Sequence, residues 1–271
     1  MGPDHSTGQH RFDHDTRVEK QTDGTFTATL TDNWTTFTSH PNGGYILGTA
    51  LNALRQNLSR PDPLAVSAFF LRPAAPGPAT ARTEVIREGR RTATGHVALE
   101  QNGKEIIRAT ATYGDLTPDP AARTLTLDTP PDLPDPRDCP VPDEFADRPD
   151  GLGIARSVEY RYPTRPGWLD GRKDDRPHAE FWMRFADGRE PDVHALPAMV
   201  DFAPPAVLSI GEFTTVTVEL GVHVRARPAP GWLACRVFTK HVSGGLHEED
   251  MELWDSTGTL VAQCRQLAML L

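Results

Sequence analysis

Apolar positions along this chain follow a repeating order: one alternating segment, one helical segment, then four strand-like segments. Near the start, Phe26, Ala28 and Leu30 alternate with threonines across Thr25 to Trp34, the period-two mark of a half-buried strand. Beyond Pro41-Asn42-Gly43-Gly44, residues Ile46, Leu47, Ala50, Leu51 and Leu54 recur at helical spacing and predict an amphipathic helix over Tyr45 to Leu58. Leu64 to Leu71, Ala79 to Arg87, Thr92 to Glu100 and Glu105 to Tyr113 then read as strands, with Asn102-Gly103 as a type I′ hairpin turn between the last two.

The same order returns later in the chain. Ser157 to Tyr162 and Ala179 to Phe185 read as strands, and Val193 to Ile210 as a helix that Pro204-Pro205 should break near Asp201. Thr214 to Arg225, Trp232 to Lys240, Glu249 to Trp254 and Thr259 to Leu271 supply four more strands. Words repeat as well as patterns. Arg72-Pro73-Ala74-Ala75-Pro76-Gly77 is answered by Arg227-Pro228-Ala229-Pro230-Gly231, and the 30 residues from Pro73 to Gly103 match the 30 from Pro228 to Gly258. Two halves of one architecture, each too small to bury its own sheet well, are expected to pair. The expected organisation is a flexible tail over 1–24, a first half over 25–116, a linker over 117–152 and a second half over 153–271. The tail is polar, with His5, His10 and His14 and no apolar period, so a mobile terminus is expected over a metal site. The linker holds nine prolines between Pro118 and Pro149 and little that could pack.

Bulk properties narrow the function. A chain of 271 residues with 38% hydrophobic content can bury a sizeable core, while a net charge of −9 argues against a nucleic-acid partner. No apolar run approaches the roughly 18 residues of a membrane span, and no signal-peptide pattern opens the chain, so a cytoplasmic location is expected. The three cysteines, Cys139, Cys235 and Cys264, form no CxxC pair and suggest neither disulfides nor zinc. No cofactor motif stands out: Gly43, Gly44 and Gly48 make no dinucleotide fingerprint and no Walker lysine follows. The absence of Gly-x-Ser-x-Gly sets aside a serine-triad hydrolase. In His247-Glu248-Glu249-Asp250 a solvated loop is expected in preference to a metal site, since no second His lies at ligand spacing.

Particular words suggest a family. In the first half they are Gly43-Gly44, Phe69-Phe70-Leu71-Arg72-Pro73, Arg87-Glu88-Gly89 and Gln101-Asn102-Gly103-Lys104. In the second they are Asp201, Thr217-Val218-Glu219, Gly231-Trp232-Leu233 and Gly258-Thr259-Leu260-Val261-Ala262 followed by Gln266. In order and spacing the chain resembles the acyl-coenzyme A thioesterase II family from about residue 25 to the end, the proline linker excepted. The resemblance implies an α+β double hotdog, two tandem repeats each with an antiparallel sheet wrapped around a central helix. It also implies hydrolysis of acyl-CoA thioesters in lipid metabolism, with an acyl-CoA or related acyl thioester as partner. Exposed sheet edges could join two chains into a homo-oligomer. The family's catalytic aspartate, threonine and glutamine carry over to Asp201, Thr217 and Gln266. A shorter segment ahead of the threonine strand leaves Thr215 as the alternative to Thr217.

These residue types suit the reaction. Thioester hydrolysis needs an oriented water, a group to take its proton, and donors for the oxyanion. Asp201 can be the base, and Thr217 and Gln266 can hold the water. Asn42, Gly43, Gly44 and Tyr45, at a helix start where amide groups are unsatisfied, are candidates for contact with substrate. The internal repeat places Ala111 opposite Gln266, so one active centre per chain is expected. Arg87, Arg90 and Arg91 could meet the phosphates of coenzyme A or simply rim a hairpin. Two other functions remain open: a hotdog enoyl-thioester hydratase or dehydratase, for which His194 near Asp192 is the weak counterpart of a His–acid pair, and a non-catalytic acyl or lipid carrier.

Overall fold

The structure, a computed structural model, describes residues 10–36, 38–142 and 153–271. His5 and the remainder of residues 1–9, together with linker residues 143–152, lie outside the described residues.

In the first half, α1 (Arg11–Asp15), β1 (Val18–Lys20) and β2 (Phe26–Leu30) precede α2 (Gly43–Leu54), and β3 (Asp62–Phe70), β4 (Gly77–Glu88), β5 (Ala93–Gln101) and β6 (Lys104–Gly114) follow. In the second half, α3 (Gly153–Ser157), β7 (Val158–Arg161) and β8 (His178–Phe185) precede α4 (Leu196–Met199). Then come β9 (Thr215–Val224), β10 (Leu233–Phe238), the short β11 (Val242–Ser243), β12 (Leu246–Trp254) and β13 (Leu260–Leu270).

All strands join one antiparallel sheet, in the order β1-β2-β4-β5-β6-β3-β9-β13-β12-β10-β8-β7, with β11 on β12. Outward from the central β3–β9 pair, the order on one side repeats that on the other, strand for corresponding strand. The sequence repeat is therefore also a repeat of topology. The halves fuse through β3 and β9, where Val66 faces Val222 and Ala68 faces Leu220. This is the double hotdog: each half-sheet curls around its own helix, and the two helices pack together between them.

The first helix is buried on nearly every face, since Tyr45, Leu47, Ala50, Ala53 and Leu54 are all excluded from solvent. It begins at Gly43 and ends at Leu54, where a 3-10 turn takes over, two residues ahead of the start and four short of the end expected from periodicity. The second is cut to four residues. Pro197 opens it, and Pro204-Pro205 force the chain away before a 3-10 turn over Ala206–Ile210, which closes at Gly211 with φ of 90°. Asn102 and Gly103, with φ of 51° and 70°, form the expected hairpin turn.

The N-terminal segment departs from the expected tail. Phe12 is buried among Trp34, Phe185 and Phe202, with ring centroids 5.2–6.2 Å away, and β1 pairs with β2. The Asp15 carboxylate, also buried, accepts from Trp34 Nε1 and Asn33 Nδ2 at 2.9 Å and from Thr31 Oγ1 at 3.1 Å. A single aromatic and a single carboxylate fix this segment, too few to show as a period. The proline-rich connection also lies against the protein, because Trp182 Nε1 donates to Pro134 O at 2.8 Å and Arg236 Nη2 to Thr129 O at 3.2 Å.

Candidate active site

Asp201 lies two residues beyond α4, in the turn that the prolines enforce, and its own N–H donates to Ala198 O at 3.0 Å. Its carboxylate turns across to the start of α2. There Oδ2 accepts the Gly44 N–H at 2.6 Å and Asn42 Nδ2 at 3.2 Å, and Asn42 Nδ2 also reaches the Asp201 carbonyl oxygen at 2.9 Å. Asn42 is the N-cap of α2 as well, its Oδ1 accepting the Tyr45 N–H at 3.1 Å. With Gly44 and Tyr45 engaged, Gly43 retains the one first-turn N–H that has no acceptor among the described residues.

Both glycines are required by contact. A Cβ on Gly44 would stand 2.2 Å from the Ala198 carbonyl oxygen, and one on Gly43 would stand 2.9 Å from both Asp201 Oδ2 and the Phe70 ring. Only a bare backbone lets the two helices approach closely enough for Asp201 to reach the amide.

The other two catalytic candidates come together on the sheet. Thr217 Oγ1 donates to Gln266 Oε1 at 2.7 Å, Gln266 Nε2 donates to Glu249 Oε1 at 2.7 Å, and Glu249 Oε2 accepts the Ala206 N–H at 2.6 Å. Gln266 and Glu249 are cross-strand partners on β13 and β12. The inner face of β13 abuts the Asp201 turn: Cys264, one inward position before Gln266, brings Sγ to 3.8 Å from Val200 O. No direct hydrogen bond joins Asp201 to this relay among the described residues.

Thr217 faces inward because of a defect in the sheet. Leu220, Val222 and Val224 point into the core, and strict alternation would turn Thr217 outward. The β9–β13 register slips between Leu267 and Ala268, leaving Val218 unpaired, so Thr217 is set opposite Ala268 and Thr215 opposite Leu270. This bulge swings both threonines to the inner face. Thr215, the alternative, joins a different partner: its Oγ1 lies 2.8 Å from His247 Nε2.

Burial pushes the Asp201 carboxyl up to about 7, against the Gly44 amide and Asn42, which favour its charged form. Asp201 nevertheless keeps a partly accessible edge. Burial raises Glu249 to about 8; the Ala206 amide and Gln266 oppose the rise and the charge of Asp201 adds to it. His247 is lowered, also by burial. The site thus holds two carboxyls raised toward neutrality, and the charge of Asp201 reaches Glu249.

The structure corrects several expectations. His247-Glu248-Glu249-Asp250 is not a solvated loop but part of β12, with His247 and Glu249 pointing inward and buried. The alternation His247, Glu249, Met251, Leu253 carried that signal, hidden by the acidic residues between. Tyr45 does not face the site. Its ring stacks on Trp34 at 5.5 Å, and its hydroxyl donates to Asp15 O at 2.9 Å and accepts from Thr31 N at 3.0 Å. Asp192 is committed elsewhere too, its Oδ1 accepting the His194 and Ala195 amides and its Oδ2 pairing with Arg189, so it is no partner for a catalytic imidazole. Arg87, Arg90 and Arg91 are exposed at the β4–β5 turn, and three strands separate β4 from β9 in the sheet. Two cavities, of about 300 and 360 Å³, lie beside His194 and Tyr160 and are lined by none of Asp201, Thr217 and Gln266.

The fold is a fused pair of hotdogs, with the Asp201 carboxylate turned to the start of its first helix. The sequence matches the acyl-CoA thioesterase N-terminal domain over residues 30–114 and the C-terminal domain over residues 136–270, and the chain belongs to the acyl-CoA thioesterase family. It is 28% identical over 277 residues to an uncharacterized protein of Mycobacterium tuberculosis, covering 90% of each chain. Among solved structures, a candidate thioesterase II from Thermobifida fusca is similar at 30% identity, with a TM-score of 0.86 and coverage of 97% of this chain and 98% of that one. A hot dog protein of unknown function from Alicyclobacillus acidocaldarius follows at 25% identity and a TM-score of 0.83, covering 97% and 99%. No described helix is long and apolar enough to cross a membrane.

Proposed function

We propose that the chain hydrolyses acyl-CoA thioesters to free acid and coenzyme A, with Asp201 as general base and Thr217, itself held by Gln266, orienting the attacking water. The observation that carries this reading is the Asp201 carboxyl itself, set at the start of α2 and poised near pH 7, where it can take up and return a proton during turnover. The water oxygen adds to the thioester carbonyl carbon as one of its protons passes to Asp201. Collapse of the tetrahedral intermediate breaks the C–S bond, and the departing thiolate takes that proton, regenerating the carboxylate. The Gly43 N–H, unengaged and at the positive end of a helix, is the donor for the oxyanion.

Asn42 and Gly44 act on the base rather than on the substrate, since both hold Asp201 Oδ2. The test is release of free thiol from acyl-CoA substrates of graded chain length. Thiol release by the wild type and its loss in Asp201→Asn would support the reading. Hydration of an enoyl thioester without thiol release, or tight acyl-CoA binding without turnover, would replace it with the hydratase or the carrier.

A further inference from the structure

Glu249 is a buried carboxylate that the catalytic set does not include, yet it ends the hydrogen-bond chain that begins at Thr217. A carboxylate only accepts hydrogen bonds, so Gln266 must turn its NH2 toward Glu249 and therefore its carbonyl toward Thr217. The single proton of the Thr217 hydroxyl is then drawn to Gln266 Oε1. What Thr217 offers the site is a lone pair, which can accept one proton of the water while Asp201 accepts the other. A water held by both its protons presents its own lone pair to the thioester carbon. If the Gln266 amide were reversed, Thr217 would receive a proton from Gln266 and donate its own to the water oxygen, tying up one of its two lone pairs and weakening it as a nucleophile.

Resting on the hydrolase reading above, we propose that Glu249 is a positioning residue which fixes the sense of the Gln266 amide and, through Thr217, the orientation of the nucleophilic water. The Ala206 N–H anchors the other carboxylate oxygen, so Glu249 cannot rotate away from its task. The groups that bear on its charge are Asp201 beyond α4, Cys264 across on β13, and Asp250 on its own strand, where His247 is the neighbouring inward residue. Protonated, Glu249 would keep accepting from Ala206 but donate to Gln266, reversing the relay. Burial and the neighbouring Asp201 charge push that transition into the working range.

Glu249→Gln tests the idea with little change in volume. The carbonyl of the introduced amide takes the Ala206 N–H, its NH2 donates to Gln266, and the relay is reversed at every pH. We expect kcat to match wild type near about pH 6 and to fall about tenfold below it near about pH 9, with KM unchanged. The exchanged pair Glu249→Gln with Gln266→Glu restores an acceptor for the Thr217 proton and should recover much of the loss. Circular dichroism establishes that each variant is folded at the assay temperature. A wild-type to Glu249→Gln ratio that stays constant with pH, or an exchanged pair no better than Glu249→Gln alone, would overturn the positioning role. These results are read only against a wild type that releases thiol and an Asp201→Asn variant that does not, so failure of the hydrolase reading shows itself separately.

Discussion

Replacing Asp201 by Asn should cut turnover to a small residual rate and, at the same time, make the protein more stable at alkaline pH. In the native site a single oxygen, Oδ2, accepts both the Gly44 and Asn42 hydrogen bonds, so an asparagine carbonyl can take over both and leave the local structure intact. What disappears is the charge. Raising a carboxyl from 3.8 to about 7 corresponds to about 4 kcal/mol between its two protonation states. Because Asp201 keeps a partly accessible edge, solvent screens some of this, and we take about 2 kcal/mol as the expected effect. The sign follows from the direction of the change. The folded-state value lies above the unfolded one, so the native protein is favoured by this group below pH 3.8, and that contribution is lost as pH rises toward 7. The neutral amide never meets the penalty. Melting curves should nearly coincide near about pH 4 and separate by roughly 4–8 °C near about pH 8, with the variant higher. Thiol release should fall by about 10²–10⁴-fold, the usual share of a general base. A melting difference independent of pH, or a variant that still turns over acyl-CoA at a wild-type rate, would refute the assignment of Asp201 as a buried base.

Thr217→Ala should lower kcat by about tenfold or more while Thr215→Ala leaves it nearly unchanged, since only Thr217 bonds Gln266; steady-state thiol release on the pair decides between them. Gly44→Ala places a methyl group against the Ala198 carbonyl oxygen and should destabilise the fold by about 1–3 kcal/mol in denaturant titrations, with loss of activity as the helices part. Tyr45→Phe removes a hydroxyl that bridges Asp15 and Thr31, so it should cost about 1–2 kcal/mol of stability and leave kcat and KM unchanged. A changed KM would return Tyr45 to the substrate site. In wild type, kcat should rise with pH through about 7 as Asp201 ionises, a limb missing from the residual rate of Asp201→Asn.

Much of the architecture was legible before any coordinates. The recurrent words at Pro73 and Pro228 and the turns at Gly103 and Gly258 anticipated a doubled fold, because hairpin turns and alternation are local properties of a few neighbouring residues. Asp201 was singled out by the family resemblance, and the break in the chain around it was within reach, since a helix cannot run on through Pro204-Pro205. The N-terminal segment was not legible. Phe12 gains its importance from Trp34, Phe185 and Phe202, residues distant in sequence, and no window around Phe12 contains them.

By itself, then, the sequence determined most of the strands, their repetition and the family resemblance. Tertiary structure decided which of the candidate residues face one another. The unpaired Val218 rotates Thr217 inward against the parity of its own strand, and strand pairing carries Glu249, outwardly one acid among several, beneath Gln266. Both outcomes depend on register, which is set by hydrogen bonds between strands far apart in the chain rather than by the order of side chains along any one of them.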